Sequence, residues 1–143
     1  MIAIIDYDAG NIKSVEKAVQ FLGEEAIITR DRDVIMDSSG VILPGVGAFG
    51  DAMNNLDHFG LVDTIKTVVS NKTPLLGICL GLQLLFKESE ETPGADGLDI
   101  LPGKILKIPA APGIKIPHMG WNSLEVRPGA RLFKGLPANP YVY

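Results

Sequence analysis

Residues 75–81 read Leu75-Leu76-Gly77-Ile78-Cys79-Leu80-Gly81, and the fold prediction starts from this segment. The single cysteine of the chain lies here between two glycines, after an apolar run typical of a buried strand and before apolar residues at helical spacing. This is the Gly-x-nucleophile-x-Gly pattern of a nucleophile elbow, a tight strand-to-helix turn with no room for β-carbons at the glycines. The pattern therefore predicts that Cys79 lies in a strained turn at the C-terminal end of a central strand, with its sulfur exposed at the edge of the sheet.

Two features of such a turn suit a nucleophile. The N-terminus of the following helix favours the thiolate over the thiol, and the backbone N–H of Leu80 can donate to an oxyanion forming on a bound carbonyl. A buried structural cysteine is the alternative, since free cysteine is among the most buried residue types. The glycines on either side of Cys79 favour the nucleophile.

Apolar runs and helical spacing alternate along the first half of the chain. Strands are predicted at 2–5, 26–29, 40–43 and 75–78, and helices at 12–22, at 61–69 and from the elbow through residue 86. Strands that alternate with helices pair in parallel, so we expect an α/β fold: a layered, mostly parallel sheet with helices on both faces, as in flavodoxin-like proteins. Beyond residue 100 lie seven of the ten prolines, which predicts turns and short strands at 103–108, 122–126 and 141–143. The last of these is expected to be a parallel strand of the sheet.

Composition excludes several function classes. The chain has 143 residues, 46% of them hydrophobic, and a net charge of -4 without the clustered basic face that nucleic acid requires. Two histidines sixty residues apart give no metal-ligand spacing, and no apolar run reaches the roughly 18 residues of a membrane span. One cysteine precludes an internal disulfide and favours a reducing compartment, so we expect a single cytoplasmic domain with no metal.

A glycine-rich segment, Gly45-Val46-Gly47-Ala48-Phe49-Gly50, follows the third predicted strand and fits the G-x-G-x-x-G pattern of a dinucleotide-binding turn. That fingerprint expects the first strand of its unit and an acidic residue at the end of the next strand, whereas here Asp63 falls in a predicted helix. The segment fits another use better, in which it aims a second backbone N–H at the oxyanion. A purely structural turn remains the alternative for Gly50.

The elbow and this loop together closely resemble class I, triad-type, glutamine amidotransferases, and the resemblance covers essentially the whole chain. The segment Pro117–Asn122, beyond the elbow, narrows the resemblance to glutaminase subunits that serve histidine biosynthesis. The matching segments are Asp8-Ala9-Gly10-Asn11-Ile12, Leu43-Pro44-Gly45-Val46-Gly47-Ala48-Phe49, Gly77-Ile78-Cys79-Leu80-Gly81-Leu82-Gln83-Leu84-Leu85-Phe86, Ser89-Glu90-Glu91 and Ile116-Pro117-His118-Met119-Gly120-Trp121-Asn122.

The resemblance implies that Cys79 attacks the side-chain amide of glutamine, giving a glutamyl thioester and ammonia without any cofactor. It further implies an oxyanion hole built from Leu80 and the Val46–Gly47 peptide region. The positions that match those holding the glutamine substrate are Gly45, Gln83 and Glu91. Without the family, Gln83 and Glu91 would be assigned to an ordinary solvated helix face and an acidic loop.

The resemblance also implies a protein partner, a (β/α)₈ cyclase subunit that consumes the ammonia. The segments that face this partner in the family match Asn11, His118, Trp121 and Tyr143. Trp121 is the only tryptophan, and a large amphipathic ring among turn residues suits an interface anchor, with burial in the core as the alternative.

Family members continue past the strand matched by Tyr141–Tyr143 into a His-Pro-Glu segment that supplies the triad histidine and glutamate. We therefore expect a C-terminally incomplete glutaminase domain, inactive alone, with His58 on the surface and His118 an unfavoured candidate for the base. The leading hypothesis is a glutaminase that feeds ammonia to a cyclase in histidine biosynthesis. A glutaminase serving another acceptor pathway and a catalytically silent α/β binding module are the alternatives.

Overall fold

A computed structural model describes residues 1–113 and 115–143 of the chain. These residues form two compact units, Met1–Lys107 and Ile108–Tyr143, each of which is described by itself. The expectation of one domain over the whole chain stays a prediction. No helix among the described residues is both long enough and apolar enough to cross a membrane.

The first unit alternates strands and helices up to the elbow. Its strands are β1 (Ile2–Ile5), β2 (Ala26–Thr29), β3 (Gly40–Leu43), β4 (Leu75–Gly77), β5 (Phe86–Ser89) and β6 (Leu101–Ile105). Its helices are α1 (Ile12–Phe21), α2 (Arg32–Met36), α3 (Phe49–His58), α4 (Leu61–Ser70) and α5 (Leu80–Gln83).

The first four strands form one parallel sheet in the order β2-β1-β3-β4. Alternate residues point to opposite faces, so Ile4 and Ile42 pack with Val19 of α1, whereas Ile5 and Leu43 belong to the core that α2, α3 and α4 cover. The α/β prediction with helices on both faces is therefore confirmed. Because all four strands run the same way, the loops after β1, β3 and β4 meet at one edge of the sheet.

Three details differ from the sequence-based prediction. The polar segment after β2 contains the short helix α2, and the glycine-rich segment ends in the start of α3. Asp31 explains why α2 forms, since its carboxylate accepts hydrogen bonds from the N–H groups of Asp33 and Val34 and so caps the start of this helix. Within the described sheet β4 is an edge strand, so the expectation that Cys79 follows a central strand is wrong.

The elbow helix is also shorter than predicted. It ends at Gln83, and β5 begins at Phe86. The carbonyls of Leu84 and Leu85 accept hydrogen bonds from Leu98, Ile100 and Leu101 at 2.8 to 2.9 Å, so they are not available to continue a helix.

The second unit is mostly turns. Its regular elements are β7 (Asn122–Ser123), β8 (Tyr141–Val142) and a short 3₁₀ helix, Arg131–Phe133. The tail expected to be a parallel strand of the main sheet instead pairs antiparallel with β7, in the register Asn122 to Val142 and Ser123 to Tyr141. None of the described residues of this unit is buried, so its apolar side chains are not enclosed in a core.

Candidate active site

Cys79 lies in a strained turn directly after β4. Its backbone has φ 55° and ψ -118°, a conformation costly for a residue with a side chain, and the residue is exposed. The turn is held from both sides, because Ile78 N–H donates to Leu43 O at 3.0 Å and Gly81 N–H donates to Ile78 O at 2.9 Å. The elbow prediction is confirmed, and the alternative of a buried structural cysteine is wrong.

Both glycines of the elbow are required by close backbone contacts. A β-carbon on Gly81 would overlap the carbonyl oxygen of Leu43, and one on Gly77 would lie 2.6 Å from Leu82 Cα. A side chain on Gly81 would therefore push the turn away from β3, and one on Gly77 would push α5 away from β4; either change would move the sulfur of Cys79.

The glycine-rich loop after β3 packs directly against the elbow. A β-carbon on Gly45 would lie 2.6 Å from Gly81 N and 2.9 Å from Leu80 Cβ, which leaves space only for glycine. Val46 and Gly47 are exposed, and Gly47 has φ +97°. Among the described residues, the N–H groups of Val46, Gly47 and Leu80 donate no hydrogen bond to the chain.

Glu91 closes the other end of this loop. Its Oε2 accepts a hydrogen bond from Phe49 N–H at 2.9 Å, and Thr92 Oγ1 accepts one from Gly50 N–H at 3.2 Å. The two side chains thus cap the N-terminus of α3, and a β-carbon on Gly50 would lie 2.6 Å from Thr92 Cγ2. Gly50 thus lies in the first turn of α3, packed against Thr92, and not in a separate turn. Gln83 is half-buried at the end of α5, one turn beyond Cys79.

Tyr7 is a site residue that the sequence analysis missed. It is 1% exposed, and its hydroxyl donates to Pro44 O at 2.6 Å, which joins the end of β1 to the start of the glycine-rich loop. Burial raises the pKa of Tyr7 to about 12, and the charge of the nearby Cys79 adds to the rise. The sequence did carry a signal for this burial. Every second residue along a strand points to the same face, and this spacing places Tyr7 on the same face as Ala3 and Ile5 of β1.

A charged cluster at the same edge of the sheet was also missed. One guanidinium nitrogen of Arg30 lies 2.7 Å from carboxylate oxygens of both Asp6 and Asp8, and the guanidinium lies 4.0 Å from the centre of the Phe59 ring. Burial alone would raise the pKa of the Asp6 carboxyl. Hydrogen bonds from Arg30 and from the Asp8 N–H, together with the positive charge of Arg30, outweigh burial, so this pKa is lowered from its usual value. The cluster orders the loop between β1 and α1.

The partner-facing candidates divide between the two units. Asn11 is exposed in the first unit and precedes α1 in a left-handed conformation, with φ 62°. In the second unit Trp121 is 71% exposed and contacts the edge of the Tyr143 ring, with centroids 5.7 Å apart. His118 Nε2 lies 3.0 Å from Asn122 Nδ2. The alternative of a core role for Trp121 is wrong, and His58 lies on the surface as expected.

The described residues thus combine an exposed elbow cysteine with a loop whose N–H groups have no partner among them, an arrangement typical of cysteine-dependent acyl-transfer enzymes. Residues 3–143 match the family described as "Glutamine amidotransferase class-I", and the chain belongs to that family. Among its relatives is the "Imidazole glycerol phosphate synthase subunit HisH" of Moorella thermoacetica (strain ATCC 39073 / JCM 9320), 55% identical over 99% of this chain and 67% of that protein. The subunit of the same name from Bacillus cereus (strain G9842) is 52% identical over 100% of this chain and 68% of that protein.

Solved structures agree on the fold. A "Crystal structure of glutamine amidotransferase" has a TM-score of 0.61 at 24% identity, covering 71% of this chain and 53% of the other. A putative peptidase E from Listeria monocytogenes EGD-e has a TM-score of 0.59 at 11% identity, covering 70% of this chain and 62% of the other. At these identities the likeness concerns the fold alone.

Proposed function

We propose that this chain is the glutaminase subunit of an imidazole glycerol phosphate synthase, which hydrolyses glutamine to glutamate and ammonia for histidine biosynthesis. The observation that carries the proposal is the exposed Cys79 in a strained elbow, packed against a loop with unpaired N–H groups. The relatives named HisH support the choice of this complex over other amidotransferases.

The reaction begins when the sulfur of Cys79 attacks the side-chain carbonyl carbon of glutamine. The carbonyl electrons move onto oxygen, and this oxyanion accepts hydrogen bonds from the Leu80 N–H and the Val46–Gly47 region. Collapse of the adduct breaks the C–N bond and releases ammonia once the leaving nitrogen has gained a proton. Water then attacks the thioester and regenerates the thiol, with glutamate as the product.

We assign three residues to the glutamine substrate. Gln83 is half-buried one turn beyond the sulfur, and Gly45 lies where any side chain would collide with the elbow. Glu91 uses one carboxylate oxygen to cap α3, and its other oxygen has no partner among the described residues. That second oxygen can accept from the amino group of the substrate, while the capping bond holds the carboxylate in place.

Proton transfer requires a general acid and base, and neither histidine of the chain suits this role. His58 is exposed at the end of α3 and packs edge-on against Phe59, at 4.9 Å between centroids. His118 is engaged with Asn122. We therefore expect these 143 residues alone to acylate slowly and to show little or no steady-state turnover.

The partner in this proposal is a (β/α)₈ cyclase that consumes the ammonia. Free ammonia is protonated in water at neutral pH, so a sealed interface between the two subunits preserves the nucleophile. We assign Asn11, His118, Trp121 and Tyr143 to this interface, and the exposure of all four supports the assignment.

The proposed compartment is the reducing cytoplasm. The exposed free thiol of Cys79 supports it, because a thiol persists in a reducing environment.

Covalent labelling tests the proposed function without requiring turnover. A chloromethyl ketone analogue of glutamine should add one label to the chain, and Cys79→Ser should abolish the mass increment, because Cys79 is the only thiol. Gln83→Ala should slow this labelling and leave alkylation by iodoacetamide unchanged. A wild-type chain that reacts with the ketone no faster than a simple thiol does would favour the silent binding module.

A further inference from the structure

The hydroxyl of Tyr7 makes the only side-chain hydrogen bond to the start of the glycine-rich loop among the described residues. Its acceptor, Pro44 O, belongs to the peptide plane that joins Pro44 to Gly45. A carbonyl held at 2.6 Å by a buried donor cannot rotate freely, so the orientation of this plane is fixed by a residue from another strand.

The elbow also lies close to this part of the loop. A β-carbon on Gly45 would lie 2.7 Å from Tyr7 Oη and 2.6 Å from Gly81 N. The tyrosine hydroxyl and the turn that carries Cys79 therefore both border the space where a side chain of Gly45 would lie. A change at Tyr7 is transmitted to the loop and to the elbow through direct contacts.

The loop is anchored at its far end as well. Phe49 N–H donates to Glu91 and Gly50 N–H donates to Thr92, whereas the N–H groups of Val46 and Gly47 have no partner in the described part of the chain. With both ends fixed and the middle unpaired, the direction of the Val46 and Gly47 N–H groups depends on the two anchors.

We propose that Tyr7 is a positioning residue that holds the Pro44–Gly45 peptide so that the following N–H groups face the oxyanion formed at Cys79. This inference rests on the proposed glutaminase function. Tyr7 touches neither substrate nor sulfur in this role and acts through the loop.

Electrostatics supports a neutral donor at this position. Burial and, to a lesser extent, the charge of Cys79 together raise the pKa of Tyr7 to about 12, so the phenol keeps its proton over the range in which a cysteine ionises. The hydrogen bond to Pro44 O therefore persists when the nucleophile is charged.

Tyr7→Phe tests this role because it removes only the hydroxyl. The probe is the chloromethyl ketone analogue of glutamine. The sulfur first adds to its ketone carbon, and the ketone oxygen becomes an oxyanion. The sulfur then bonds to the neighbouring methylene carbon as the C–Cl bond breaks and chloride leaves, while the bond from sulfur to the carbonyl carbon breaks and the C=O double bond re-forms. Iodoacetamide is the reference, since its direct displacement creates no oxyanion. In Y7F the maximal rate constant of inactivation by the ketone should fall about tenfold. This loss is smaller than that caused by removing an oxyanion donor itself, because Tyr7 only positions the donors. The half-saturating ketone concentration and the iodoacetamide rate should change less than about twofold.

The matched control is Thr67→Val, which removes a hydroxyl that donates to Asp63 O within α4 and should change neither rate. Hydrogen exchange gives a second measurement. In Y7F the hydrogen-bonded amides of Phe49 and Gly50, at the far end of the loop, should exchange faster while those of β1 do not. Equal losses with both reagents, or an unchanged ketone rate in Y7F, would overturn the positioning role. A wild-type chain without preference for the ketone would instead overturn the proposed function.

Discussion

At the residue scale, the site depends on positions that cannot carry a side chain. Gly81 is the clearest case, because its α-carbon lies against the Leu43 carbonyl and the adjacent Gly45 lies against the Gly81 nitrogen. Cys79 has a β-carbon and still adopts φ 55°, so the elbow stores strain that these contacts must sustain. The geometry of the nucleophile is therefore determined by backbone contacts between β3 and the turn after β4.

Gly81→Ala is expected to lower the free energy of unfolding by about 3 kcal/mol or more, because the added methyl overlaps backbone that cannot rotate away. Urea denaturation followed by circular dichroism measures the loss. The matched control is Gly40→Ala in β3, where the new β-carbon would lie 3.7 Å from Pro74 O, an ordinary contact. Similar small losses in both variants would show that the elbow relaxes without cost.

At the element scale, the four strands of the parallel sheet and helices α1 and α4 followed from local pattern, but α2, α3 and the length of the elbow helix did not. The residues after Gln83 are apolar and carry no helix-breaking signal, yet their carbonyls bond to residues 98–101, a pairing that only the folded chain reveals. Cys79, Gly77 and Gly81 were predictable because a nucleophile elbow is a local motif. Tyr7 and Arg30 were not, because their partners lie 37 and 24 residues away in sequence.

Glu91→Ala is expected to destabilise the chain by about 1 kcal/mol, since it removes a charged acceptor from the N-terminus of α3. Glu91→Gln keeps an acceptor oxygen and should lose roughly half as much. The comparison is made by urea denaturation at low ionic strength, with the exposed Glu24→Ala as control. If the Glu91 variants match that control, the bond to Phe49 N–H contributes nothing to the stability of α3.

At the scale of the whole molecule, burial is confined to one unit. Every buried side chain among the described residues lies in Met1–Lys107, whereas the second unit leaves large apolar groups in solvent. The most exposed of them are Met119, Trp121, Leu132, Tyr141 and Tyr143. Apolar area that contributes nothing to a core is available to a partner protein, which supports the proposed cyclase interface.

Trp121→Ala should weaken binding of the (β/α)₈ cyclase by about 2 kcal/mol, which is roughly a 30-fold rise in the dissociation constant. The reason is that an exposed indole that becomes enclosed on association is typical of a hot spot. Titration calorimetry gives the dissociation constant, and the thermal midpoint of the free chain should stay unchanged, since the ring is 71% exposed. Phe21→Ala removes a ring that is 91% exposed at the end of α1 and should leave binding intact. Unchanged affinity in the Trp121 variant would exclude this residue as an anchor. A lowered midpoint with unchanged affinity would assign the ring to the stability of the second unit.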